Sequence, residues 1–179
     1  MIIKTKPEEE DKWIVFDMET WKILRRNRIV GSEIGTFQKH QSQSDHLVLP
    51  CLISGSSGRL AIRLGIVSQS PPSSPREETE SVRRHHGDLI FEDLWKFGLT
   101  VSSGSQFGAQ WLGYQGDPVG LHACCAVIIE PEKSSKTNLR AKDLSGFARV
   151  CHTAGKNAII SSESSTTMKS TFITLSWRP

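Results

Sequence analysis

Residues 88–130 read DLIFEDLWKFGLTVSSGSQFGAQWLGYQGDPVGLHACCAVIIE, and the order of patterns in this stretch decides the fold. Asp88 can accept from the free N–H groups of a helix start and is assigned as a cap. Ile90, Leu94 and Phe97 recur at helical spacing as the buried face, and Gly98 ends the helix. The period then changes. Residues 99–101 and 110–114 read as strands on either side of a glycine-rich turn, 102–108. Gly116, Asp117 and Pro118 mark a second turn. Residues 122–130 are a long apolar run, which predicts a strand at the centre of a sheet.

The alternation continues toward the C-terminus. Asp143 is assigned as the cap of a helix with Leu144, Phe147, Ala148 and Cys151 inward, stopped near Gly155. Residues 157–161 and 171–177 follow as a pair of strands, with a polar hairpin at 162–170. The last strand is an exposed-edge candidate for pairing with a partner. Upstream, residues 69–87 read QSPPSSPREETESVRRHHG. Such a stretch buries too little to offset its ordering entropy, so it reads as a flexible linker, with His85 and His86 in a solvated loop. Before it, residues 13–16 form a strand and Asp17 caps a helix carrying Met18, Trp21 and Leu24 on one face. Arg25, Arg26 and Arg28 close that helix, where cations suit the macrodipole. Residues 46–53, with Pro50, read as an edge strand. Ser57 is assigned as the cap of a short helix through Leu60 and Leu64, stopped by Gly65.

These elements predict a mixed α/β protein. A small N-terminal α/β domain spans 1–68, the linker 69–87, and a C-terminal domain with a mixed sheet flanked by helices spans 88–179. Apolar residues make up 37% and charged residues 23% of the 179, as in a soluble globular protein. A net charge of +3 permits a nucleic-acid partner without arguing for one. The four cysteines form no CxxC and no zinc spacing, so they read as buried thiols in a reducing compartment. The opening MIIKTKPEEEDK lacks the apolar core of a signal peptide, and no run reaches the roughly 20 apolar residues of a membrane span. An intracellular, soluble protein is expected.

Three side chains of the C-terminal segment stand at element ends, where a rigid scaffold presents reactive groups. Tyr114 closes a strand, His122 opens the next, and Lys156 stands between Gly155 and a strand. Their types suit cleavage of RNA by its own 2′-hydroxyl. That reaction needs a base for the hydroxyl proton, an acid for the departing 5′-oxygen and a cation for the phosphorane. Histidine suits the acid and lysine the cation. Tyrosine, with an ordinary pKa of about 10, serves as a base only beside a cation. Tyr114 is the only tyrosine. Each type also has a plain structural use: packing for tyrosine, a satisfied polar position for histidine, solvation for lysine. A metal nuclease would need clustered carboxylates, and Asp117 has no second carboxylate near it in sequence. Cys151 and His152, adjacent on a helix, point to different faces.

The surrounding motifs separate these readings. Phe91-Glu92-Asp93-Leu94-Trp95, Gly98, Ser103-Gly104, Phe107-Gly108, Tyr114, Gly116-Asp117-Pro118 and His122-Ala123 follow in order at close spacing. The run resembles the catalytic domain of the tRNA-splicing endonucleases over about residues 88–179. The resemblance implies a nuclease domain that works without metal or other cofactor. Tyr114 would be the general base, His122 the general acid and Lys156 the transition-state stabiliser. The products would be a 2′,3′-cyclic phosphate and a 5′-hydroxyl. It also implies two RNA-binding side chains, Arg149 and Trp177, that hold a bulged base by stacking. The N-terminal segment, through Leu47-Val48-Leu49-Pro50 and Leu64-Gly65-Ile66-Val67, is similar to that of the smaller catalytic subunit, which cuts the 3′ splice site. The implied partners are intron-containing precursor tRNA, one further catalytic subunit and two structural subunits, in the nucleus. The competing reading is a non-catalytic structural or RNA-binding subunit of the same complex.

Overall fold

The computed structural model describes residues 2–4, 12–34, 49–67, 85–131, 139–164 and 167–178. The chain divides into two compact units, Met1–His85 and His86–Pro179, and the fold is mixed α/β with one sheet in each. The expected linker lies, up to residue 84, outside the described residues.

In the N-terminal unit, β1 (Ile2–Lys4), β2 (Lys12–Val15), β3 (Ser32–Glu33) and β4 (Cys51–Ser54) form an antiparallel sheet in the order β1-β2-β4-β3. Trp13 and Val15 of β2 alternate inward onto Cys51, Ile53 and Ala61. Helix α1 (Met18–Arg26) starts as expected: Thr20 N–H donates to Asp17 Oδ1 at 2.8 Å. Its Trp21 and Leu24 join the same core, with Met18 at the margin. Helix α2 (Gly55–Arg63) starts earlier than expected. Ser54, not Ser57, is the cap, and its Oγ accepts from Ser57 N–H at 3.2 Å. Both serines satisfy the cap chemistry, but β4 runs directly into the helix, so the first hydroxyl meets the free donors. Gly65, at φ +67, ends the helix as expected. Nor is β4 an edge strand. It pairs with β2 on one side and β3 on the other. Pro50 escapes the ladder by preceding the strand, and its carbonyl accepts from Ile34 N–H at 3.0 Å. Residues 46–48 of that expected strand lie outside the described residues.

Gly58 of α2 faces Trp13 so closely that a Cβ would fall 2.5 Å from the indole Cδ1. Trp13 is 1% exposed and has no room to retreat. A helix glycine changed to alanine ordinarily gains up to about 1 kcal/mol. Here the sign reverses: Gly58→Ala is expected to destabilise by about 1–3 kcal/mol. A urea midpoint at or above that of wild type would contradict this packing.

The C-terminal unit runs α3 (Asp88–Lys96), β5 (Thr100–Ser103), a single 3-10 turn (Ser105–Phe107), β6 (Trp111–Tyr114), β7 (Cys125–Ile129), α4 (Ala141–Thr153), β8 (Asn157–Ser164) and β9 (Lys169–Leu175). The sheet order is β5-β6-β7-β8-β9, antiparallel except for the parallel β7/β8 pair. All five residues of β7 are buried, as its apolar run predicts for a central strand. Alternation along β7 divides the core. Ala126 and Ile128 pack with Phe147, Ala148 and Cys151 of α4. The opposite face meets α3: Phe91 contacts Trp111 edge-on at 5.7 Å between ring centroids, and Ile129 packs beside Gly87. β9 lies at the sheet edge, as expected. No helix among the described residues is long and apolar enough to cross a membrane.

Four local expectations differ here. Helix α3 is capped at Gly87, not Asp88. Gly87 adopts φ +91, and its N–H donates to Glu163 Oε1 at 2.8 Å. The same carboxylate meets His86 Nδ1 at 3.0 Å, while His86 Nε2 lies 2.9 Å from the Glu130 carbonyl oxygen. His86 is therefore tied down rather than free in a loop. A glutamate from β8, remote in sequence, takes the donor, and Asp88 becomes a buried first helical residue. Phe97, expected in the buried face, is 69% exposed, because the chain turns away at Gly98 (φ +91). Its ring meets Phe172 edge-on at 5.7 Å. Asp143 lies within the first turn of α4 and Arg140 precedes the helix. The Arg140 guanidinium, 2.9 Å from Asp143 Oδ2, holds that carboxyl below the usual range.

Candidate active site

The registers of three strands build the site. Gly113 of β6 is opposite Cys125 of β7, and Cys125 is opposite Asn157 of β8. Tyr114 therefore follows the last β6–β7 pair, while Cys124 and Lys156 precede the first β7–β8 pair. All three stand at one end of the sheet on neighbouring strands. Two backbone bonds close this end: Cys124 N–H donates to Gly113 O, and Asn157 N–H donates to Cys124 O, both at 2.9 Å. His122, two residues before Cys124, arrives at the same end.

Each candidate is held differently. Tyr114 is half-buried and packs against the α4-side core. His122 is not on a strand, since β7 begins only at Cys125. It is exposed on a loop that is itself pinned. Val119 N–H donates to Asp117 Oδ1 at 3.0 Å, and Gly120 N–H donates to Asp117 O at 3.2 Å. Leu121 covers Gly116, where a Cβ would fall 2.7 Å from Leu121 Cδ1. Lys156 follows the end of α4, where Gly155 takes φ +64 and Lys156 N–H donates to Cys151 O at 2.8 Å. Its Nζ donates to Ala154 O at 3.3 Å and lies 4.8 Å from the centroid of the Phe107 ring.

Arg149 is exposed on α4, and its carbonyl accepts from the Thr153 hydroxyl at 3.0 Å. Trp177 lies just beyond β9, which ends at Leu175, two residues short of the expected strand. It is half-buried against the α4-side core, the side on which Tyr114 and Phe107 also pack. Among the described residues, no three His, Cys, Asp or Glu side chains group as metal ligands. In the sequence Phe107 counts only as part of a motif and Cys124 only as a thiol, neither with a place at the site. The available signal for Phe107 was an aromatic in an otherwise polar turn; for Cys124 there was none, because its place follows from strand register.

All four cysteines are free; Cys51, Cys125 and Cys151 are buried and Cys124 half-buried. Burial pushes the Cys125 thiol up to about 12, and the Cys151 thiol also upward, against the pull of the Lys156 charge. An unfolded cysteine ionises near about 8.5. The unfolded chain therefore loses these protons first, and folding stability falls as pH rises from there toward about 12 for Cys125. Urea midpoints measured from pH 7 to pH 10 are expected to decline, and Cys125→Ala to flatten the decline. Parallel slopes for the two proteins would contradict the assignment.

The C-terminal unit is thus a mixed α/β domain with a phenol, an imidazole and an ammonium at one end of its sheet. Residues 89–170 match the family described as tRNA intron endonuclease, catalytic C-terminal domain, and residues 5–69 match the family described as TSEN34-like, N-terminal domain. A protein from Sulfurisphaera tokodaii named tRNA-splicing endonuclease is 32% identical over 88 residues, which are 49% of this chain and 47% of that protein. The chain thus spans about half the length of the curated relative that it matches.

Proposed function

We propose that this protein is a catalytic subunit of a tRNA-splicing endonuclease that cuts precursor tRNA at an intron boundary, the 3′ splice site. The observation that carries this reading is the strand register that gathers Tyr114, Lys156 and the His122 loop at one end of the sheet. Tyr114, as phenolate, takes the proton of the 2′-hydroxyl at the splice site. The 2′-oxygen attacks the adjacent phosphorus, and the bond to the 5′-oxygen breaks. His122, as imidazolium, gives that oxygen its proton, and Lys156 stabilises the negative charge of the phosphorane. The products are a 2′,3′-cyclic phosphate and a 5′-hydroxyl, with no metal in the step. The exposure of His122 suits a group that must reach substrate, and the buried flank of Tyr114 suits one held in place.

Arg149 and Trp177 hold an RNA base near the cut by stacking. Residues 1–68 and 88–179 act as two domains joined by the 69–87 linker. The working enzyme includes one further catalytic subunit and two structural subunits and is nuclear. The match of residues 5–69 to the TSEN34-like N-terminal domain supports the choice of subunit.

The test is cleavage of an intron-containing precursor tRNA in EDTA by the chain reconstituted with its partners, with end groups analysed. Cyclic-phosphate ends, and loss of the 3′-site cut alone on changing Tyr114, His122 or Lys156, are expected. Unchanged cutting at both sites would make the chain a non-catalytic subunit, and loss of the wild-type cut in EDTA would overturn the metal-free mechanism.

A further inference from the structure

The turn between β5 and β6 has no part in the chemistry above, yet its backbone is closely specified. Phe107 and Ala109 N–H groups both donate to Gly104 O, at 2.9 and 3.1 Å, and Gly104 N–H donates to Gln110 O at 3.0 Å. A Cβ on Gly104 would fall 2.9 Å from Ala109 Cβ and from the Trp111 backbone nitrogen. Gly108, at φ +66, then turns the chain back. The effect is to expose Ser105 and Gln106 and to half-bury Phe107 against the α4-side core. Its ring lies beneath the Lys156 ammonium, 4.8 Å from centroid to Nζ.

Lysine is a point charge on a flexible four-carbon stem, so a catalytic lysine must be held in place. A carboxylate would hold it at the cost of cancelling the charge that the phosphorane needs. Among the described residues, Lys156 has no carboxylate partner; its Nζ meets the Ala154 carbonyl and the Phe107 ring. The negative face of an aromatic ring attracts a cation without neutralising it. We infer that Phe107 is a positioning residue for Lys156, its ring holding the ammonium at the site with its charge uncancelled. This inference rests on the catalytic reading of Lys156.

Two substitutions separate ring from bulk. Phe107→Leu keeps an apolar side chain and removes the ring face, whereas Phe107→Tyr keeps the ring. In NMR spectra of the full-length chain, the ε-methylene protons of Lys156 are expected upfield by ring current in wild type and Phe107→Tyr, and at ordinary positions in Phe107→Leu. In cleavage by the full chain with its partner subunits, Phe107→Leu is expected to lower kcat roughly ten-fold with little change in KM, and Phe107→Tyr to keep most of it. Absence of the upfield shift in wild type, or equal kcat in the two variants, would overturn the inference. An inactive Lys156→Ala beside a fully active Phe107→Leu removes the inference alone. A Lys156→Ala variant that cleaves like wild type removes the catalytic reading, and the positioning role with it.

Discussion

Replacing His122 by alanine is expected to slow cleavage at one intron boundary by about 10²–10⁴-fold, the range for losing a positioned general acid. The effect should fall on chemistry and not on folding. The His122 side chain is exposed, and no hydrogen bond or ion pair ties it to the described residues. A surface truncation of this kind changes stability by only about 0.5 kcal/mol. The loop keeps its shape without the imidazole, because Asp117 and Leu121 pin it. The decisive substrate carries sulfur in place of the bridging 5′-oxygen. A departing thiolate needs little protonation, so this substrate should restore most of the rate to His122→Ala. Equal slowing on the oxygen and sulfur substrates would rule out an acid role for His122.

Replacing Lys156 by alanine is expected to cost about 10²–10³-fold in kcat, as for loss of one preorganised charge donor to a transition state. Here the sulfur substrate should give no rescue, because the lost interaction is with the phosphorane and not with the leaving group. KM should move little, since a group that acts only in the transition state leaves ground-state binding intact. Lys156→Arg should recover part of the rate at most. A guanidinium can also donate to a carbonyl and stack on a ring, but its charge is delocalised over a planar group and not concentrated at the point where the ammonium stands. A rise in KM with kcat unchanged would make Lys156 a binding residue instead.

The candidate chemistry was legible because Tyr114, His122 and Lys156 each stand beside a glycine or a turn. Gly155 and Gly98 could be read as stops because each adopts a positive φ that side-chain-bearing residues resist. Asp17 could be read as a cap because its partner, Thr20 N–H, is three residues away. The caps at Gly87 and Ser54 were misjudged for the opposite reason. At Gly87 the acceptor is Glu163, 76 residues distant. At Ser54 two serines compete, and only the path of β4 into α2 selects between them. Pro50 had the right chemistry for an edge but sits one residue before a strand that is paired on both sides.

By itself, the sequence determined the kinds of element, their order and the central place of β7, and it named the candidate side chains. These follow from periodicity, apolar runs and backbone preferences, all of them local. Only the tertiary structure decided that β7 and β8 lie parallel and adjacent, with Cys125 opposite Asn157. That pairing brings Lys156 beside Cys124, to the sheet end where Tyr114 stands one strand further on, and its ammonium lies over Phe107, 49 residues earlier in the chain. Backbone hydrogen bonds between strands are chemically alike at every position, so no local pattern states which strands pair or in which register. The burial of both faces of the sheet, by α3 and α4, selects among them.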